Sequence, residues 1–316
     1  MSGLLTDDDA LAFLASQVEA PESSRSAYWE EEAKTFSIAA DGSVKGPTVL
    51  GNISTKMSPL HNAAHRILQW PFRRMGRHYE TYRECEQLGR MIARRQGRQF
   101  THDLIRQVLS LALIRHHVNL DNPTDCNLVI GDGLGVLSSL FLLATPHRRT
   151  ILVNISKPLL LDLLYAKKAV PGLRLALVAA PNEMKEALSL PEINLIAVQA
   201  DNASVIAHAP VGVAANVVSM QEMAAPAIAE YFCILRVNNA EETTFYCCNK
   251  LYKRFHDGAE SRFYEYPWRP SDRILHDSIC PWSQWLYSKR PPFWSYRRGK
   301  NRIIWHRLAL MAKESP

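Results

Sequence analysis

Up to about residue 120 the apolar positions recur near helical spacing. Between Tyr79 and Gln96, Tyr82, Leu88, Met91 and Ile92 stand among charges, and Leu104, Val108, Leu111, Leu113 and Ile114 follow with the same period. The first stretch, from Asp7 on, reads as an amphipathic helix capped by Thr6 or Asp7. A loop through Asp41, Gly42, Gly46 and Pro47 separates it from the longer periodic stretches. This half carries no strand pattern.

At Asp121-Asn122-Pro123-Thr124-Asp125 the pattern changes to turn residues, which places a boundary there: a helical region over 1–120 and a second region over 121–316. Short apolar runs follow at Leu128 to Ile130, Thr150 to Ile155, Leu173 to Val178, Leu195 to Ala200, Val211 to Val217 and Thr244 to Cys248. Segments long enough for helices separate them. That alternation predicts an α/β fold with a parallel sheet covered on both faces. From about Lys250 the chain becomes rich in aromatics and prolines, then ends in the strand-like run Ile303 to Met311.

Composition narrows the class without naming it. Of 316 residues 47% are hydrophobic and 22% charged, which excludes disordered and fibrous chains and allows a sizeable core. The six cysteines show neither C-x-x-C pairs nor framework spacing, so reduced thiols are expected. Asp7, Asp8 and Asp9 stand where a secretory signal needs positive charge, and Asp132, Asp162, Asp201 and His208 interrupt the apolar stretches. A cytoplasmic protein with no membrane span is expected.

The net charge of +6 is modest but uneven. Arg66, Arg73, Arg74, Arg77, Arg83, Arg90, Arg94, Arg95 and Arg98 fall in one segment, and Lys289, Arg290, Arg297, Arg298, Lys300, Arg302 and Arg307 in another. These groups are either solvated faces or an attraction for an anionic partner, such as a phosphate-bearing or lipid-linked substrate. No nucleic-acid motif accompanies them.

The strongest local signal is Leu128-Val129-Ile130-Gly131-Asp132-Gly133-Leu134-Gly135-Val136-Leu137, a strand entering G-x-G-x-G and then an apolar helix. Glycines there permit sharp turns and close approach of a ligand to the backbone, and the helix N-terminus offers unpaired N–H groups. An ordinary strand-to-helix turn has the same form. The spacing differs from the G-x-G-x-x-G of dinucleotide folds and favours S-adenosylmethionine over NAD. Gly131, Asp132, Gly133 and Gly135 are therefore the first cofactor candidates.

Three further stretches give a specific resemblance. Asn216 to Met223 followed by Glu230-Tyr231-Phe232, Phe245 to Asn249, and Arg262 to Trp268 together with the glycine turn resemble the sugar O-methyltransferase family of class I S-adenosylmethionine-dependent enzymes, over roughly residues 125 to 300. The resemblance implies a Rossmann-like seven-stranded sheet whose final strand runs antiparallel, with Ile303 to Met311 supplying that strand. It implies S-adenosylmethionine as cofactor and a sugar or glycan acceptor. Asp201 falls where the family places an adenine contact, and a helix-capping role for it is equally open. Two positions depart from the pattern. Val129 stands where an acid often precedes the glycines, and Asn154 replaces the acid that grips the ribose, which leaves it hydrogen bonds without charge.

Methyl transfer to a hydroxyl needs alignment, exclusion of water and a proton acceptor. Glu222 is the first candidate base, with Asn216 and Ser219 orienting the cofactor or substrate; a capping box between Ser219 and Glu222 is the competing role. His256, Asp257 and Glu265 form a second group. Tyr266, Trp268, Trp282 and Trp285 either stack on a sugar or pack a core. No metal-ligand spacing occurs, and no catalytic metal is expected. The competing functions are an NAD- or nucleotide-sugar-dependent enzyme on a similar sheet, and a non-catalytic binding protein of methyltransferase ancestry.

Overall fold

The computed structural model describes residues 3–39, 43–45, 59–255 and 257–314. Asp41, Gly42, Gly46, Pro47 and His256 lie outside them. The apolar runs become strands buried on both faces. They are β2 (Cys126–Ile130), β3 (Thr150–Asn154), β4 (Leu175–Val178), β5 (Leu195–Gln199), β6 (Val211–Val217) and β7 (Thr244–Lys250). All five residues of β2 are buried, as a central parallel strand requires.

One sheet of nine strands forms the frame. Its order is β1 (Leu5–Thr6), β4, β5, β3, β2, β6, β7, the last strand β13 (Ile304–Leu310) and β10 (Arg273–Ile279). β13 runs antiparallel to both β7 and β10, so the expected final antiparallel strand is present. The remaining pairs from β4 through β7 are parallel. The Rossmann-like sheet anticipated from the sequence is thus present, but β4 and β1 extend it beyond seven strands. β1 also corrects the reading that the first half holds no strand. It is two residues long, far too short for a periodic signal.

Successive residues of each strand point to opposite faces and build two cores. Leu128 and Ile130 pack with α9 (Pro181–Ser189) and α10 (Ala225–Val237). Val129 packs on the other face with α1 (Asp7–Gln17), α5 (Tyr82–Arg95), α6 (His102–His117), α7 (Val136–Ala144) and α8 (Ser156–Ala169). Leu104, Leu111 and Leu137 share this second core, so the helices before residue 121 cover the same sheet that the later residues form. α6 is buried continuously from Gln107 to Ile114. Each of its large aliphatic side chains contributes about 1.5–3 kcal/mol by leaving water.

β10 escaped the sequence pattern because it is an edge strand with mixed exposure, reading Arg-Ile-Leu-His-Asp-Ser-Ile. Behind β7, the hairpin β8 (Tyr252–Arg254) and β9 (Glu260–Arg262) carries Lys253 back toward the end of β6. No helix among the described residues is long and apolar enough to cross a membrane.

Candidate functional site

β2 and β6 are neighbours, yet the chain leaves β2 toward β3 and leaves β6 toward β7. Loops therefore part at their carboxyl ends and leave a crevice, the usual ligand position in such sheets. The crevice encloses about 1230 Å³, part of it open to solvent. Gly131, Asp132 and Gly133 form one wall, Ser219 and Glu222 the opposite one, and Asn154 and Ala200 line it from the ends of β3 and β5.

Gly131, Gly133 and Gly135 have φ of 69°, 93° and 59°, where side chains are strained. A Cβ on Gly131 would collide with Ser219, and one on Gly135 with the backbone of Asp162. The turn is thus pressed between the loop after β6 and α8. Asp132 accepts from the N–H groups of Leu137 and Ser138 at 2.9 and 2.7 Å and from Ser138 Oγ at 2.7 Å, so it caps α7 from within the turn. Asp162 accepts from Gly135 N–H at 3.0 Å and Asn154 Nδ2 at 2.9 Å. Burial pushes both carboxyls above the ordinary range, and the charge of Asp132 pushes Asp162 further.

The other cofactor candidates divide. Asn154 lines the crevice, with its amide held by Asp162 and its Oδ1 accepting from Ile155 N–H. Ser219 faces Gly131. Asn216 is fully buried beneath the crevice, donating to Ile130 O at 2.7 Å and accepting from Met220 N–H and Asn249 Nδ2. It clamps β2 to the loop after β6. Asp201 accepts from the N–H groups of Ser23 and Ser24 at 2.9 and 2.7 Å. Burial alone would raise its carboxyl, but these bonds outweigh it and hold it low.

Those serines belong to a segment that crosses the mouth of the crevice. Glu22 accepts from Ser156 N–H and Oγ at the start of α8, both at 2.7 Å, and Ser26 Oγ donates to the backbone oxygen of Glu222 at 2.6 Å. Trp29, on the short helix α2 (Ala27–Glu32), lines the space below. Arg98, Asp103, Arg106 and Gln107 close the end nearest α6. Sequence reading missed Trp29, Asp103, Arg106, Gln107 and Asp162 as site residues, and named Arg98 only within the basic group. For Asp162 a signal existed: it is the lone carboxylate in the apolar run from Leu159 to Leu164.

Of the candidate bases, Glu222 lies in the crevice. Its carboxylate meets Lys253 Nζ at 3.2 Å. Burial raises its pKa and Lys253 and Gln221 lower it, with a net rise. No capping box forms: the Ser219 side chain caps nothing, and α10 starts only at Ala225. Glu265 stands outside the crevice, exposed and paired with Arg262 at 2.9 Å, and Asp257 is likewise exposed. His256 lies outside the described residues. Tyr266 and Trp268 pack with Phe232, Phe245 and Phe263, and Trp282 is buried, so these three serve the core. Trp285 on β11 (Trp285–Tyr287) joins a separate surface hollow with Trp70 on α4 (Trp70–Gly76) and Trp294 on β12 (Trp294–Tyr296). Among the described residues, no group of three or more His, Cys, Asp or Glu is arranged to hold a metal ion.

No family model matches the chain, and no curated protein matches it. Solved structures do. A variant of MtNAS is 13% identical, with 81% of this chain and 78% of that one covered and a TM-score of 0.33. The same variant in complex with S-adenosylmethionine is 12% identical over 96% and 97% of the two chains, with a TM-score of 0.32. The glycopeptide N-methyltransferase MtfA, complexed with S-adenosyl-L-homocysteine, is 12% identical over 65% and 71%, with a TM-score of 0.28. Superposition at this level is loose, and what the crevice does is read from its own residues.

Proposed function

We propose that the chain is an S-adenosylmethionine-dependent O-methyltransferase acting on a sugar or glycan intermediate in the cytoplasm. In this reading residues 121–316 hold the cofactor, and residues 1–120 close the crevice and meet the acceptor. The state of the α7 N-terminus carries the cofactor assignment. Asp132 already occupies the N–H groups of Leu137 and Ser138, and Asp162 that of Gly135. A dinucleotide pyrophosphate would need those donors. It would also meet the carboxyl of Asp132 on the crevice wall, which repels a pyrophosphate and not a sulfonium.

Bound there, S-adenosylmethionine would supply an electrophilic methyl group. Gly131, Gly133 and Ser219 offer backbone and hydroxyl contacts for it, and Asn154 an amide for the ribose. Glu222 would take the proton of the acceptor hydroxyl at a carboxylate oxygen. A carboxyl whose pKa stands above the ordinary range suits that proton transfer. The segment from Glu22 to Trp29 keeps water out.

Calorimetry with S-adenosylhomocysteine tests the cofactor, and labelled S-adenosylmethionine with fractionated lysate tests the acceptor. Saturable binding and label in a glycan fraction are expected. A folded sample that binds nothing at high micromolar ligand removes the reading, and label confined to protein or nucleic acid removes the sugar.

A further inference from the structure

Behind the α6 end of the crevice lies a second basin, and its wall is basic. Arg66 from α3 (Pro59–Leu68), Arg90 and Arg94 from α5, and Arg98 from the loop before α6 line it, with His65 and Gln69. Arg98 lines the crevice as well, so one side chain is the partition between the two spaces. It is only 1% exposed and sits over the Tyr165 ring at 5.6 Å. Asp103 and Asp132 face it from the crevice side.

The rim is poorly neutralised. Arg90 is paired with Glu86 at 2.6 Å, a carboxylate it shares with Arg73, and lies over the Phe100 ring at 4.5 Å. Arg66 and Arg94 make no ion pair among the described residues and are exposed. One member of the second basic group, Lys289, acts on His65, whose Nδ1 meets Tyr287 OH at 2.7 Å. Gln69 is fixed by Phe100 O and Tyr287 OH. The basin is therefore a tied framework presenting guanidinium groups from three elements. Such groups, with Arg66 and Arg94 outside any ion pair among the described residues, match the several oxygens of a phosphate better than a single planar carboxylate.

We propose that the methyl acceptor is a phosphorylated sugar whose phosphate docks in this basin while its sugar reaches the crevice across the rim of the wall that Arg98 forms. This rests on the methyltransferase reading and names its substrate class. The probe is inorganic pyrophosphate, titrated calorimetrically at low salt into the full chain and into the double variant Arg66→Glu, Arg94→Glu. Both positions are exposed on helices, so folding is checked by an unchanged melting temperature. Saturable binding by the parent, weakened roughly tenfold or more in the variant with S-adenosylhomocysteine affinity unchanged, is expected. Equal binding by both proteins, or none by the parent at millimolar pyrophosphate, overturns the basin. So does much tighter binding of a short DNA duplex than of pyrophosphate, which would make the rim a nucleic-acid surface. Loss of S-adenosylhomocysteine binding alone sinks the cofactor reading and leaves the phosphate result standing.

Discussion

The carboxylate of Asp162 accepts a hydrogen bond from the backbone N–H of Gly135 at 3.0 Å, and so reaches the glycine turn from α8 rather than from the strand that enters it. An acid thus stands beneath the turn even though Val129 occupies the slot on β2. Asn154, the other departure, is bound to the same carboxylate.

That carboxyl titrates above the usual range because it is buried and faces Asp132. A raised folded pKa contributes stability that is fully present below the unfolded value near 3.9 and is lost as pH rises through the folded value, about 1.4 kcal/mol for each unit between them. Asp162→Asn removes this dependence. Urea unfolding from pH 3.5 to 8 should show parent stability falling relative to the variant as pH rises. Parallel curves would mean that Asp162 ionises freely.

Glu222→Gln should lower kcat by about 10² to 10⁴ with S-adenosylhomocysteine affinity nearly unchanged. The parent should lose activity as pH falls through the raised pKa of Glu222. Lys253 holds that pKa down, so Lys253→Met should move the acid limb to higher pH. An acid limb that stays in place under Lys253→Met would assign it to another group.

The parallel strands were legible because burial on both faces leaves an unbroken apolar run, as in Leu195 to Val198. The glycine turn was legible because positive φ at three alternate positions demands glycine. The partnership of Asp162 with Gly135 was not, because it joins residues on different elements and no local pattern records it. The capping box failed for the converse reason. Ser219 and Glu222 have the right spacing, but the Asn216 clamp holds the intervening residues in a 3₁₀ turn ahead of α10. Asp201 likewise binds a segment whose place over the crevice depends on contacts with three strand ends.

That segment predicts how ligand enters. Asp201→Ala removes the acceptor of two N–H bonds, and the remaining ties through Glu22 and Ser26 leave the mouth only partly closed. Limited trypsin digestion should cut faster at Arg25, and bound S-adenosylhomocysteine should dissociate faster with little change in melting temperature. The Asp201 carboxyl is held low, so its bonds are present above its unfolded pKa and lost as pH falls through the folded value. The dissociation rates of S-adenosylhomocysteine from parent and variant should therefore converge at low pH. Identical cleavage rates at neutral pH would show that Asp201 does not fasten the segment.

The distinctive stretch from Arg262 to Trp268 is anchored by a buried ion pair, and its loss should be felt in stability before activity. Arg236 on α10 donates to both oxygens of Asp272 at 2.7 and 3.0 Å, and further to Pro267 O and Ala312 O, with both charged side chains almost wholly buried. Burial alone would raise the Asp272 carboxyl, but Arg236 and the N–H groups of Arg269 and Ala312 outweigh it and hold it low. Its contribution is thus present above the unfolded pKa and lost as pH falls through the folded one. Asp272→Asn keeps the shape but leaves a buried guanidinium without its counter-charge, which costs about 3–5 kcal/mol. Replacing the pair together, as in Arg236→Met with Asp272→Leu, should recover part of that loss, because neither charge then remains to be compensated. Urea unfolding at pH 7 of the single and double variants decides it. A single variant as stable as the parent would show that solvent reaches the pair, and a double variant no better than the single would assign the loss to the backbone bonds at Pro267 and Ala312.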